Sequence, residues 1–330
     1  MSVAPGALRV GVVGLGRWGQ VLVRAAQEGG LETAKLLQIV AGYSRTPAKV
    51  EGFTHSSGIE LFPSYDEMIG AGKIDAVLIA SPHSQHASQA GLAAAQGLHV
   101  FCEKPLALDR HSAATAVSAC REAGRVLAVG FNRRFLPAYR RMAELVASQR
   151  LGRILHVEGN FSGPFGLGYK PGVWHADRSE TPGGGLTLMG VHVLDAMIGL
   201  VGNVVGASAR SRRQVLQVEL DDTTDVLLDF QSGATGYLST LTATTRQWRL
   251  QVFGTAGWAQ MIDQDRLIVS IDGEAFQDVT FPTISTERAE LECFARAALF
   301  GESYPVPNDD VLNGLEALDA IFQSLGSLGR

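Results

Sequence analysis

Three glycines near the start of the chain have a spacing that suits dinucleotide binding. Gly14, Gly16 and Gly19 lie in the stretch GVVGLGRWG, between a short apolar run and a helix-like segment that opens with Arg17 and Trp18. In such a loop the first glycine permits a tight turn, the second lets the backbone approach a pyrophosphate, and the third lets the helix pack on the strand. We therefore predict that these five residues bind a dinucleotide, with its pyrophosphate at the helix N-terminus, although the glycines could also form only a tight turn.

The residues after the second predicted strand should distinguish NADP from NAD. An acidic side chain there binds the ribose 2′-hydroxyl of NAD, whereas the 2′-phosphate of NADP needs hydrogen-bond donors and positive charge. Ser44 and Arg45 occupy this position in the stretch AGYSRTP. A hydroxyl and a guanidinium favour a phosphate, so NADP is expected in preference to NAD. Arg45 could instead be a solvated surface charge or stack on the adenine of either cofactor.

A lysine stands where another predicted strand ends. In HVFCEKPLALD, Glu103 and Lys104 follow an apolar run and precede Pro105, which has no N–H to extend a ladder of hydrogen bonds. The carboxyl end of a parallel strand is the edge at which open α/β sheets bind ligands. Hydride transfer from an alcohol carbon needs a donor or base beside the hydroxyl oxygen, and lysine can serve as either. The two residues could also be a solvated charge pair.

The segments that carry these residues alternate between strand-like and helix-like patterns. Apolar runs at 8–13, 75–80 and 126–130 are separated by helix-like stretches. Such alternation indicates βαβ units, with a doubly wound parallel sheet and helices on both of its faces. We therefore predict an α/β Rossmann domain over residues 1–131.

The pattern changes from about residue 132. Several strand-like segments follow, joined by short glycine-containing turns such as QSGA, which connect antiparallel neighbours. Residues 132–330 are predicted to form an α+β domain with a large, mostly antiparallel open sheet. Between 234 and 245 neither alternating set of side chains is strongly charged, as expected if helices cover one face and another subunit covers the other. A homodimer or a dimer of dimers is expected.

Composition excludes several classes of partner. The 330 residues carry a net charge of -5 and no basic block, so nucleic-acid binding is not expected. Cys102, Cys120 and Cys293 lie far apart without CxxC spacing, which favours neither a metal site nor disulfides and indicates a reducing compartment. The N-terminus lacks a signal-peptide pattern, and no run reaches the roughly 18 apolar residues of a membrane span. We expect a cytoplasmic protein without a membrane partner.

Five stretches, in this order, resemble the glucose-fructose oxidoreductase, inositol dehydrogenase and rhizopine-catabolism family: GVVGLGRWG, SPHSQHA, EKP, GFNRRF and GGGLTLMGVHVLD. The resemblance covers nearly the whole chain. It implies an NAD(P)-dependent oxidoreductase that transfers a hydride between nicotinamide and a small molecule: a sugar, a polyol or a related hydroxyl or carbonyl compound. It also implies dimers supported by the sheet of the second domain.

The resemblance assigns roles to residues at the strand ends. Lys104 is implied to be the catalytic or substrate-orienting lysine and to contact both cofactor and substrate, and Glu103 to place the nicotinamide end. Ser81, Pro82 and His86 in SPHSQHA are predicted to line the cofactor, with capping of the following helix as an equal alternative for Ser81 and His86.

His192, on a predicted helix over 186–200, is implied to act in catalysis and substrate binding. The family carries an aspartate four residues before this histidine, whereas the position here is Leu188. Asp195 could hydrogen-bond His192 or be structural, and His192 could be a packed core residue. The missing carboxylate leaves two alternatives to an active sugar dehydrogenase: a cofactor-binding sensor that has lost catalysis, or a reductase of a non-sugar carbonyl or imine.

Two further groups of polar residues have open roles. Trp174, His175 and Arg178 lie in YKPGVWHADRSE, a candidate substrate loop that could also be ordinary surface. Arg133 and Arg134 follow a strand, where they could tie the domains together or bind an anionic group of the substrate.

Overall fold

The structure is a computed structural model that describes residues 6–27 and 36–327. Their contacts divide them into two compact units. The described residues up to Asn132 form the first unit together with Ser285–Asn308, and Arg133–Ile284 forms the second together with the described residues from Asp309 onward. The segment 285–308, which the sequence analysis placed in the second domain, thus packs with the first unit.

The first unit is a parallel sheet with helices on its faces. Its strands are β1 (Leu8–Val13), β2 (Leu37–Tyr43), β3 (Glu60–Leu61), β4 (Ala76–Ile79), β5 (His99–Glu103) and β6 (Leu127–Gly130). Its helices up to β6 are α1 (Arg17–Gln27), α2 (Glu51–Ser57), α3 (Tyr65–Gly70), α4 (His86–Ala95) and α5 (Arg110–Glu122). The strand order β3-β2-β1-β4-β5-β6, with every neighbouring pair parallel, confirms the Rossmann prediction.

Local sequence explains these elements. All four residues of β4 are buried, as expected for a central strand covered on both faces. The side chain of Asp109 accepts the N–H of Ser112 at 2.8 Å and caps α5 at the point where the chain leaves the β5 loop.

The second unit is dominated by an eight-stranded sheet. It begins with α6 (Pro137–Ala147) and β7 (Ile154–Ser162), and a π-helical turn, Leu186–Gly190, then leads into α7 (Val191–Val201). The remaining strands are β8 (Val204–Arg212), β9 (Thr223–Phe230), β10 (Thr235–Leu241), β11 (Gln247–Gly254), β12 (Gly257–Ile262), β13 (Arg266–Ile271) and β14 (Gln277–Thr280). In the order β14-β13-β12-β11-β7-β10-β9-β8 only the β7–β10 pair is parallel, which confirms a mostly antiparallel sheet.

The last two helices belong to different units. Helix α8 (Thr286–Phe300) supplies Leu291 and Phe294 to the apolar core of the first unit, where the rings of Phe294 and Phe101 meet edge to face at 5.7 Å. Helix α9 (Asn308–Ser327) lies in the second unit, where Asn313 exchanges hydrogen bonds with the backbone of Val204.

Helix α7 covers one face of the second sheet. It approaches β7 so closely that a Cβ at Gly159 would overlap Val193 and lie 2.8 Å from the Cε of Met197. A glycine is therefore required there for helix and strand to pack.

A buried ion pair joins three segments of the second unit. Arg134, 6% exposed, donates to both carboxylate oxygens of Asp195 on α7 and to Asp310 on α9, each at 2.8 Å. It also donates to the backbone oxygen of Asp195 at 3.0 Å. Arg134 is thus committed to structural contacts, so it is not available for the anionic substrate group considered from the sequence.

We expect Arg134→Ala to lower the free energy of unfolding by about 3–5 kcal/mol, because the Asp195 carboxylate would stay buried without its partner. Arg141→Ala is the matched control, since Arg141 forms an exposed pair with Glu144 at 3.0 Å and should cost less than about 1 kcal/mol. Urea unfolding of both variants measures the difference. Equal losses would contradict the structural role of the buried pair.

Candidate active site

The glycine loop is closely packed at two of its glycines and open at the third. Gly14 has φ +90°, and a Cβ there would overlap the backbone of Ala80. A Cβ at Gly19 would overlap the backbone oxygen of Gly14, whereas a Cβ at Gly16 would have no heavy atom within 4 Å. The open side of Gly16 lies at the N-terminus of α1, whose free N–H groups favour an anion. The loop therefore fits the pyrophosphate of a dinucleotide.

The end of β2 lies beside this loop. The backbone oxygen of Tyr43 accepts the N–H of Gly14 at 3.2 Å, which places Ser44 and Arg45 next to the glycines. The hydroxyl of Ser44 accepts the N–H of Thr46 at 3.3 Å, and Arg45 is exposed. This position, where a Rossmann fold meets the adenosine ribose, presents a hydroxyl and a guanidinium and no carboxylate.

Ser81 and His86 are directed into the protein. The Ser81 hydroxyl donates to the side-chain oxygen of Gln89 at 2.6 Å, and the buried His86 ring faces two backbone carbonyls. The residue that caps α4 is Gln85, which makes no side-chain capping bond. In this structure both side chains therefore stabilise the loop that Pro82 shares with them, and contact with a cofactor stays a prediction.

Glu103 is a buried carboxylate at the end of β5. It is 5% exposed, and one oxygen accepts the N–H of Lys104 at 3.3 Å. Burial raises the pKa of Glu103 to about 7, against the opposing effects of a hydrogen bond from Trp18 and the charge of Lys104. The nearby Glu287 adds to the increase in this pKa.

The second oxygen of Glu103, Oε1, is buried and accepts no hydrogen bond within the described part of the chain. Opposite it stands Gly130 on β6, where a Cβ would lie 3.1 Å away, so a side chain would crowd this oxygen. A buried acceptor of this kind fits a ligand that brings its own donor, such as the carboxamide or ribose of a nicotinamide nucleotide. The residues present at this edge of the sheet therefore fit the cofactor that the glycine loop implies.

Lys104 is half-buried at the same edge of the sheet as the glycine loop. Strand β4 lies between β1 and β5, all three run parallel, and their carboxyl ends therefore meet at one edge. The Lys104–Pro105 peptide bond is cis. An ammonium in this position can donate to a developing alkoxide or carbonyl oxygen.

In the second unit, His192 lies in the first turn of α7. It is 7% exposed, and its ring centre is 6.1 Å from that of Phe161. Leu188, in the π-helical turn, is half-buried, so the residue four before the histidine is apolar. Both carboxylate oxygens of Asp195 accept hydrogen bonds from Arg134, which selects the structural alternative for this aspartate over a partnership with His192.

The candidate substrate loop of the second unit is aromatic. The ring of His175 lies 4.9 Å from that of Tyr169 and 5.4 Å from that of the exposed Trp174. Burial raises the pKa of Tyr169 to about 12, because this residue packs against the small apolar cluster of Leu216, Val218 and Leu220. Exposed aromatic rings can stack on the apolar face of a ligand.

Arg178 and Arg133 make contacts within the second unit. Arg178 is exposed and pairs with Asp221 at 3.2 Å. The guanidinium of Arg133 lies 5.5 Å from the ring centre of Phe161 and 5.8 Å from that of Trp248, and it donates to Gln264 at 3.2 Å.

Sequence reasoning missed Asn132 and Glu287. The buried Asn132 amide donates to Glu287 at 2.9 Å, and Glu287 also influences Glu103. In the GFNRRF motif only the arginines were considered as candidates. No local pattern connects Asn132 with a glutamate 155 residues later in the chain.

The described residues offer neither a cluster of metal ligands nor a membrane-spanning helix. No group of three or more His, Cys, Asp or Glu side chains there could hold a metal ion. No helix among those residues is both long and apolar enough to cross a membrane.

The fold and the strand-end residues define a dinucleotide-binding oxidoreductase. Residues 8–131 match the model of an oxidoreductase family with an NAD-binding Rossmann fold, and residues 139–260 match the GFO/IDH/MocA C-terminal domain. Together the two matches span most of the chain, which therefore belongs to the GFO/IDH/MocA family of oxidoreductases.

Individual relatives extend this finding. The chain is 30% identical over 326 residues to the rhizopine catabolism protein MocA of Rhizobium meliloti, covering 96% of this chain and 95% of the relative. It is 31% identical over 293 residues to D-xylose 1-dehydrogenase (NADP(+)) 2 of Haloferax volcanii, covering 85% and 87%. The crystal structure of an oxidoreductase from Desulfitobacterium hafniense superposes with a TM-score of 0.88 at 26% identity, covering 98% of this chain and 96% of that one.

The raised pKa of Glu103 predicts a pH-dependent gain in stability for Glu103→Gln. The unfolded carboxyl loses its proton near pH 4.5 and the folded one near pH 7, so the wild type loses stability as the pH rises between these values, by up to about 3 kcal/mol. Glutamine cannot ionise. The free energy of unfolding of the variant minus that of the wild type should therefore be larger at pH 8 than at pH 5.

Urea unfolding at both pH values measures this increase. Glu144→Gln, at an exposed position on α6, should show no such change relative to the wild type. If Glu103→Gln and the wild type differ in free energy of unfolding by the same amount at pH 5 and pH 8, the raised pKa of Glu103 is contradicted.

Proposed function

We propose that this protein is an NAD(P)-dependent dehydrogenase or reductase acting on CH–OH groups, with a sugar, a polyol or a related hydroxyl or carbonyl compound as substrate. The observation that carries the proposal is Lys104, half-buried at the carboxyl edge of the same parallel sheet whose glycine loop is open at Gly16. A relative named as a D-xylose dehydrogenase supports the substrate class.

When bound, the nicotinamide would supply or accept the hydride. Lys104 holds the reacting oxygen. In reduction its ammonium donates a hydrogen bond to the carbonyl oxygen and transfers its proton to that oxygen as the hydride reaches the carbon, and in oxidation its neutral amine accepts the hydroxyl proton. Glu103, the preceding residue, would hold the nicotinamide end through its buried Oε1. A pKa of about 7 lets Glu103 exist in either protonation state under neutral conditions.

The second unit is proposed to contact the substrate through His192, Trp174 and His175. The polar ring of His192 in the first turn of a mostly apolar helix and the half-exposed aromatic loop support this assignment. With Leu188 in place of a carboxylate, His192 has no acid at that position to hold its proton, so the proton chemistry is assigned to Lys104.

A sensor without catalysis and a reductase of non-sugar carbonyls or imines are less well supported alternatives. The strand-end lysine that the chemistry needs is present. A named D-xylose dehydrogenase is among the relatives, which favours turnover of a sugar.

NADP is proposed as the preferred cofactor. Ser44 and Arg45 present a hydroxyl and an exposed guanidinium beside the glycine loop, where a carboxylate would select NAD. The relative from Haloferax volcanii carries NADP(+) in its name.

A homodimer or a dimer of dimers in the cytoplasm is also proposed. The face of the second sheet opposite α7 exposes Leu227 and half-exposes Trp258, whose ring lies 6.3 Å from that of Phe276. Exposed apolar side chains on an open sheet suit a partner subunit. The three free cysteines, Cys102, Cys120 and Cys293, support a reducing compartment.

Lys104→Ala should lower kcat by roughly 10²- to 10⁴-fold, the range for a positioned acid–base group, with cofactor affinity little changed. Lys104→Arg should lose turnover as well, because a guanidinium keeps its proton at neutral pH. Turnover is measured with NADP+ and NAD+ on a panel of sugars and polyols that starts with D-xylose. Lys73→Ala, which removes an exposed lysine paired with Glu60, is the control. Full turnover by Lys104→Ala on a verified substrate would overturn the proposed chemistry.

Arg45→Ala should reduce the preference for NADP+ over NAD+ by about tenfold, since one charge-assisted contact to the 2′-phosphate is lost. Calorimetric titration of both cofactors into the wild type and the variant measures this ratio. Arg110→Ala, at the exposed start of α5, should leave it unchanged. A wild type that binds NAD+ more tightly would show the cofactor assignment to be wrong.

Light scattering at micromolar concentration should give the mass of two or four chains. Leu227→Glu should shift the protein toward the monomer, because a charge on the exposed sheet face opposes apolar association. Leu92→Glu, at an exposed leucine of α4 in the first unit, is the matched control. A monomeric wild type would refute the assembly.

A further inference from the structure

His86 bridges the ends of two neighbouring strands. The side chain is 1% exposed, and each ring nitrogen lies 2.8 Å from a backbone carbonyl oxygen: Nδ1 from that of Pro105 and Nε2 from that of Ser81. Its ring also meets that of the buried His83 edge to face at 5.7 Å. The imidazole is thus enclosed and oriented by its surroundings.

The two carbonyls belong to segments that the sheet itself does not join. The β4–β5 ladder runs from the Ala76–His99 pair to the Ile79–Cys102 pair and ends there. Beyond it, Pro105 has no N–H with which to continue the pairing. The His86 ring lies between the two segments, with a backbone carbonyl of each within hydrogen-bond distance.

This bridge acts on the residue next to Lys104. Pro105 follows the lysine directly, so holding the Pro105 carbonyl restricts the backbone from which the Lys104 side chain extends. The Lys104 N–H is held from the other side by Glu103 at 3.3 Å. An imidazolium donates to both carbonyls, whereas a neutral imidazole donates to only one, so the bond to the Pro105 carbonyl requires a proton on Nδ1.

We propose that His86 is a positioning residue that holds Lys104 in its reactive place by anchoring the Pro105 carbonyl to the β4 loop. The inference rests on the role given to Lys104 in the proposed function. It differs from the sequence-based prediction for His86, in which the ring itself lines the cofactor.

Two conservative variants distinguish the effect of the ring's contact with Pro105 from that of its contact with Ser81. The amide nitrogen of asparagine occupies about the place of Nδ1, and that of glutamine about the place of Nε2. His86→Asn therefore keeps a donor for Pro105, whereas His86→Gln keeps one for Ser81. A purely structural role would affect the melting temperatures of the two variants and leave their kcat values alike.

We expect His86→Gln to lower kcat by roughly ten- to a hundredfold with KM for the cofactor unchanged, because a misplaced catalytic group slows the chemical step. His86→Asn should retain most of the wild-type kcat. His99→Gln is the matched control and should turn over like the wild type: this half-buried histidine lies at the opposite end of β5 and accepts the N–H of Val126 at 3.1 Å. Kinetics on the best substrate of the panel, with melting temperatures for all variants, measure these effects.

A second readout does not depend on turnover. Hydrogen exchange of a peptide that spans 103–109 should be faster in His86→Gln than in the wild type or His86→Asn, since the segment loses its anchor. Wild-type exchange and kcat in His86→Gln would overturn the inference. So would equal losses in both variants, or a raised cofactor KM at unchanged kcat, which would mark His86 as a cofactor contact.

The outcomes distinguish this inference from the proposed function. If Lys104→Ala abolishes turnover while His86→Gln does not reduce it, only the positioning role fails. If Lys104→Ala retains turnover, the proposed chemistry fails, and exchange in the 103–109 peptide still reports whether His86 anchors the segment.

Discussion

Parallel pairing of β1, β4 and β5 is the constraint on which the candidate site depends. Because the three strands run in the same direction, their carboxyl ends meet at one edge of the sheet. The glycine loop, the Ser81 loop and the Lys104 segment therefore become neighbours, although more than 80 residues of sequence separate the first from the last. Beyond the strand ends, side chains contact the backbone, as the His86 ring does at the carbonyls of Ser81 and Pro105.

The two units differ in how completely the hydrogen bonds of their buried carboxylates are formed. In the second unit the buried carboxylate of Asp195 is fully occupied by Arg134, which suits a structural role. In the first unit Glu103 is equally buried, yet one of its oxygens has no donor among the described residues. Buried groups that are left without compensation are concentrated where ligands bind, because the ligand can complete the hydrogen bonding.

Local patterns predicted the fold and part of the site. The glycine spacing and the buried runs of β1 and β4 identified the Rossmann unit, since turn chemistry and strand burial are encoded over a few residues. The partner of Asp195 could not be predicted, because helical spacing places it near His192 and only tertiary packing brings Arg134 to it. The orientation of His86 could not be predicted either, because nothing in the sequence around a histidine at a helix start indicates contact with a carbonyl 19 residues later.

The return of α8 to the first unit makes that unit discontinuous in the chain. Its core includes Leu291 and Phe294, which follow the whole β-rich part of the second unit in sequence. During synthesis the ribosome must therefore complete about 300 residues before the first unit can bury the ring of Phe101 against Phe294. The second sheet is in effect an insertion within a nucleotide-binding unit, and a fragment that ends near residue 131 would expose an apolar strip to solvent.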